Sequence, residues 1–133
     1  MYLSYLKPLH KEAFLDLSLI VSNADHKLNI PEKNLIGQLC EEMGIEPKAS
    51  CERSLDAVLA DIQATATRKE KKIILLELLG IVMVDKDIQV EELDIVNILI
   101  NELELNKSDL EEAIALVKQI FGVYSDCAEF ING

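Results

Sequence analysis

The chain has no tryptophan, only 5% aromatic residues, five glycines and three prolines. So little turn chemistry excludes a β-sandwich or barrel, because every hairpin needs residues that accept a positive φ or a proline-set bend. Cysteine is also scarce. Cys40, Cys51 and Cys127 form no CxxC pair, and no histidine stands at zinc-finger spacing from them. A disulfide framework and a structural zinc site are thereby excluded, and the three thiols are expected as small buried apolar residues in a reducing cytoplasm. Positive charge is short as well: 13 basic residues face 24 acidic ones, for a net charge of −11. Such a surface repels phosphate backbones and anionic lipid, so nucleic acid is not an expected partner. The one basic cluster, Arg68-Lys69-Glu70-Lys71-Lys72, reads as the solvated turn of a helix and is assigned no site.

Long apolar runs are missing too. No stretch reaches the roughly 18 apolar residues of a membrane span, and Met1 to Pro8 lacks the charged lead and apolar centre of a signal peptide, so a cytoplasmic protein without direct membrane insertion is expected. Catalytic signatures are equally absent: there is no phosphate-cradling glycine loop, no HExxH and no nucleophile elbow, which points to a non-enzymatic protein. His10 and His26 are expected at solvent-facing loops or helix ends. Asp85-Lys86-Asp87-Ile88-Gln89 imitates the start of a calcium loop, but Val90 and Val96 occupy the positions that need glycine and a bidentate glutamate. No Asp-Ser-Leu triplet marks an acyl carrier.

What remains is apolar aliphatic residue at helical spacing. At 133 residues and 50% hydrophobic content, the chain can bury one core, and a single domain over 1–133 is expected. Phe14, Leu17, Ile20 and Val21 place a stripe on a helix over Lys11 to Asn23. Pro31 sits in the first turn of a second helix, with Glu32 beside it and Gly44 closing it. Pro47 is expected to open a third, carrying Leu55, Val58, Leu59 and Ile62. Thr67-Arg68-Lys69-Glu70 reads as a capping box before a helix through Ile73, Leu76, Leu79 and Met83. With only Glu77 charged between Ile73 and Val84, that helix is predicted to be the most buried element. A fifth helix carries Leu93, Val96, Leu99 and Leu103. A sixth follows a capping box at Ser108-Asp109-Leu110-Glu111, and Gly122 is expected to end it.

Shifted by 60 residues, the chain overlaps itself. Leu19, Asp25, Glu32, Leu39 and Glu42 fall on Leu79, Asp85, Glu92, Leu99 and Glu102, within a frame of matched apolar positions. Two helix-loop-helix halves related by a pseudo-two-fold axis are the expected result. In each shared loop an aspartate can cap backbone amides, and a glutamate in the first turn of the next helix meets the positive end of its dipole. That account explains both acids without a ligand.

Ala24-Asp25-His26-Lys27-Leu28 leading to Glu32, and Val84-Asp85-Lys86-Asp87-Ile88 leading to Glu92, resemble the paired loops of the TerB-like family, found in tellurite-resistance proteins and DnaJ-like co-chaperones. The similarity runs roughly from Phe14 to Phe121. The loop glycine of the family is replaced by His26 and Lys86, which adopt a left-handed backbone only at a cost. The resemblance implies an all-α helical bundle of about six to seven helices, acting as a stress-response or partner-recruiting module with a protein partner. It also implies an acidic cluster proposed to bind a divalent metal. The residues for such a cluster here are Asp25, Glu32, Asp85, Asp87 and Glu92, whose oxygen donors suit calcium, magnesium or manganese.

Overall fold

The computed structural model describes residues 1–24, 29–84 and 87–133. Among them the chain is all-α: six helices follow a short 3-10 turn at Leu3–Tyr5, and no strand occurs. The helices are α1 (Pro8–Ser22), α2 (Ile30–Met43), α3 (Leu55–Thr65), α4 (Arg68–Val82), α5 (Val90–Glu102) and α6 (Lys107–Asn132).

Most of the ends follow from local chemistry. Asn29 caps α2 by accepting the Glu32 amide at 2.8 Å, and Pro31 sits in the first turn, where a missing N–H costs nothing. Gly44 then closes α2 in a left-handed conformation with φ of 71°. At α4 the capping box is complete: the Thr67 hydroxyl accepts the Glu70 amide at 3.2 Å, and the Glu70 carboxylate accepts the Thr67 amide at 2.9 Å.

Three boundaries differ from the sequence expectation. Pro47 does not open α3. Residues 45–54 are irregular, and the helix waits for Ser54, whose hydroxyl accepts the Ala57 amide at 3.1 Å. The start of α6 lies earlier than Ser108: Asn106 is its cap, accepting the Asp109 amide at 2.9 Å while Asp109 accepts the Asn106 amide at 3.0 Å. Finally, Gly122 does not stop α6, which runs on to Asn132. A glycine inside a helix costs only about 1 kcal/mol, and helix formers on both sides outweigh it.

The core is built on α1 and α4, which pack against each other. α3 lies on α1, α6 on α4, α2 against both central helices, and α5 against α1 and α3. The expectation that α4 would be the most buried element is corrected here. Of fifteen residues each, α1 buries ten and α4 eight. α1 hides polar groups that its composition made look exposed, namely His10, Asp16, Ser18 and Ser22, and the Ser18 hydroxyl donates to the Phe14 carbonyl at 2.8 Å.

α4 and α6 run side by side in one direction. Arg68 and Lys72 at the start of α4 meet Asp109 at the start of α6, at 2.9 and 3.5 Å, and further along Gly80 shares a cleft with Val117 and Phe121. α4 ends at Val82, whereas α6 continues well past that level.

Candidate functional site

The proposed metal-binding residues are divided by the structure. Asp25 and Asp85, and with them His26, lie outside the described residues. Glu32 and Glu92 occupy the same place in α2 and α5, three residues past the cap, and both are fully buried. Glu92 accepts the Gln89 amide at 3.1 Å, so one of its oxygens serves the helix N-terminus. Asp87 is exposed. Among the described residues, no three His, Cys, Asp or Glu side chains form a group that could hold a metal ion. Glu32, Asp87 and Glu92 therefore do not make a metal site by themselves.

Two polar clusters that the sequence reading did not assign sit inside the bundle. The first is centred on His10, which is 1% exposed and so corrects its expected place at the surface. Its Nδ1 lies 3.1 Å from a Glu70 carboxylate oxygen and its Nε2 2.8 Å from the Thr65 hydroxyl. A hydroxyl, an imidazole and a carboxylate in sequence resemble a nucleophile with its base and orienting acid. The hydrogen bonding argues otherwise. The Thr65 hydroxyl donates to the Asp61 carbonyl one turn back at 2.7 Å, a bond internal to α3 that ties it to its own helix. The three side chains link α1, α3 and α4, with His10 and Glu70 buried and Thr65 exposed. Glu70 is held below the usual carboxylate range by the Thr67 amide, which outweighs the opposing effect of burial.

The second cluster surrounds Asp16, in the middle of α1 and 3% exposed. Lys48 and Arg53, both from the irregular segment 45–54, pair with its two carboxylate oxygens, and Arg53 also reaches Asp61 of α3. Burial pushes this carboxyl up, but the two cations outweigh it and hold it below the ordinary range. Cys51 lies beside the cluster, and burial raises its thiol, the opposite of what a nucleophilic cysteine needs. The clamp fixes a helix-free stretch to the core. An aspartate between Leu15 and Leu17 was its only sequence signal.

The surface has two features of another kind. One is a groove of about 670 Å³ beside the start of α4. Arg68, Lys69 and Lys72 form its basic rim, and Ile73 and Leu76 its apolar floor. Tyr2 and Tyr5 stack across it with ring centroids 6.2 Å apart, and the Lys69 ammonium lies 5.8 Å from the Tyr5 ring. Thus the basic cluster set aside as a solvated turn lines a groove.

The other is the end of α6. Leu110, Ala113, Val117, Ile120, Tyr124, Cys127 and Ile131 follow one another at alternating three- and four-residue steps along one stripe. Leu110, Ala113 and Val117 are buried against the bundle, but Tyr124, Cys127 and Ile131 are exposed, with Phe130 beside them 87% exposed. Of the three thiols only Cys40 is buried, which corrects the expectation for Cys51 and Cys127. Tyr124 still shares a cleft with Glu77 and Gly80 of α4, and the residues of α6 beyond it are exposed.

Compared with known proteins, the chain matches no protein-family model, no curated protein and no solved structure. Among the described residues no helix is long and apolar enough to cross a membrane.

Proposed function

We propose that this chain is a TerB-like, non-enzymatic interaction module of the cytoplasm that recruits a protein partner. The observation that carries the reading is the exposed apolar stripe on the second half of α6. A helix that continues its apolar stripe beyond the element covering its first half presents a surface of the kind that helix-in-groove recognition uses. The pseudo-repeat supports the family resemblance. α1 and α4 begin and end 60 residues apart, α2 and α5 begin 60 apart, and both left-handed residues among those described, Gly44 and Glu104, differ by the same step. His10 and Glu70, also 60 residues apart, touch each other. A contact of this kind is what a pseudo-two-fold axis passing between α1 and α4 would produce.

The test is recovery of bound protein from the native host with the parent chain and with Phe130→Asp, Ile131→Asp. Both positions are exposed, so the variant should keep its melting temperature and lose the partner. An unchanged set of bound proteins would overturn the reading.

A divalent-cation domain is the second reading, favoured by two carboxylates, Glu32 and Glu92, buried at matched positions. Calorimetric titration of metal-free protein with calcium, magnesium and manganese should then give heat that the Asp25→Asn, Asp85→Asn variant loses. No heat with any of the three removes this reading.

A further inference from the structure

We propose that the chain associates head to tail with copies of itself, the exposed second half of α6 of one molecule entering the basic, tyrosine-lined groove of the next. This rests on the interaction-module reading and names the occupant. Charge complementarity is the first argument. At a net charge of −11, two copies repel over most of their surfaces, and a contact is favoured only where acid meets base. Beyond Lys118, α6 carries no cation, and its charges are Asp126 and Glu129, three residues apart on one face. The groove supplies Arg68, Lys69 and Lys72 against a single carboxylate, Asp109, which already takes Arg68 and Lys72. Lys69 reaches the Tyr5 ring and lines the groove.

The apolar parts match as well. Tyr124, Cys127, Phe130 and Ile131 lie along one side of the helix end, and the groove floor offers Ile73 and Leu76 flanked by the two tyrosines.

Geometry then decides whose helix end it is. Asp109, at the start of α6, sits at the edge of the groove. Tyr124 lies about 22 Å further along the same helix at 1.5 Å per residue, where it shares a cleft with Met1 and Leu76 beside the other end of the groove. Phe130 and Ile131 lie about 9 Å further along the same straight helix, so a molecule does not seat its own helix end in its own groove without breaking α6, and the occupant proposed here is the helix end of a second copy. Because the two surfaces differ, the contact is heterologous and leaves one groove and one helix end open on every assembly that does not close into a ring.

Sedimentation of the full chain over a concentration series tests this with two variants: a groove variant, Tyr5→Ala with Lys69→Glu, and a tail variant, Phe130→Asp with Ile131→Asp. All four positions are exposed, and an unchanged melting temperature shows that each variant is folded. The parent should form oligomers that grow with concentration and shrink with added salt. Each variant alone should be monomeric. Mixed, they should form a one-to-one heterodimer, because the intact tail of the first fits the intact groove of the second. A parent that stays monomeric at every concentration overturns self-association, while loss of the host partner in the tail variant would still uphold the module reading. A groove variant that still self-associates points to tail-to-tail pairing and overturns the proposal, as does a mixture that remains monomeric.

Discussion

Leu79→Asp should remove most of the stability of the domain, and Leu19→Asp should remove as much. Both leucines are buried to within 2% of full burial, one on each central helix, and a carboxylate at either place must leave water, although Lys33 and Lys48 line the same cleft as Leu19. An unpaired buried charge costs about 4 kcal/mol or more, against a total stability of roughly 5–15 kcal/mol for a domain of ordinary size. Thermal or urea unfolding of the two variants measures this directly. The comparison between them is the informative part. The apolar run of α4 made Leu79 the obvious central residue, whereas the structure gives α1 equal standing. If Leu19→Asp unfolds like the parent while Leu79→Asp does not, the paired core is wrong.

The second large effect should come from replacing two exposed cations. Lys48→Met with Arg53→Met leaves Asp16 ionised in the middle of α1 without its partners. The expected loss is about 3 kcal/mol at neutral pH, and adding Asp16→Asn should restore a large part of it, because the unpaired charge rather than the missing salt bridges carries the cost. The pH dependence has a definite sign. In the parent, Asp16 and Glu70 have folded-state values below the ordinary carboxylate range, so their contribution is fully present above about pH 4 and is lost as pH falls through the lowered values. In the double variant, Asp16 is buried without compensation, and protonation relieves it. The gap in stability between parent and variant should therefore narrow on acidification. Urea midpoints at about pH 7 and pH 3 measure that gap. A gap of equal size at both would show that the two lysine and arginine side chains act by packing and not by charge.

The ends of the helices show how far local chemistry reaches. Thr67 and Glu70, Pro31 and Glu32, and Gly44 were readable because a cap or a left-handed stop is decided by residues three or four apart. The same reasoning failed at Gly122, where a glycine mid-helix and a glycine at a helix end look alike. The alternating stripe from Leu110 to Ile131 was the better signal, since it continues through that glycine without a break. It failed also at Ser108, because Asn106 is an equally good cap two residues earlier and Asp109 can close a box with it. Asp16 was visible only as an oddity: its partner Arg53 lies 37 residues away, and no periodicity connects the two.

The sequence by itself determined the all-α class and the helices in order, because helix formation depends on spacing and caps within a few residues. Tertiary structure alone decided which polar groups are buried, which helices share the centre and which surfaces stay open. His10 became a core residue because Glu70 and Thr65 arrive from other helices. The residues of α6 beyond Tyr124 are exposed, a relation between packed helices that no one of them encodes. The basic turn became a groove because Tyr2 and Tyr5 fold onto it, held by the Leu3 amide to Glu42 at 3.2 Å and the Tyr2 amide to Glu77 at 2.8 Å. Burial and exposure belong to pairs of elements distant in the chain, and their identity is fixed only when the chain has packed.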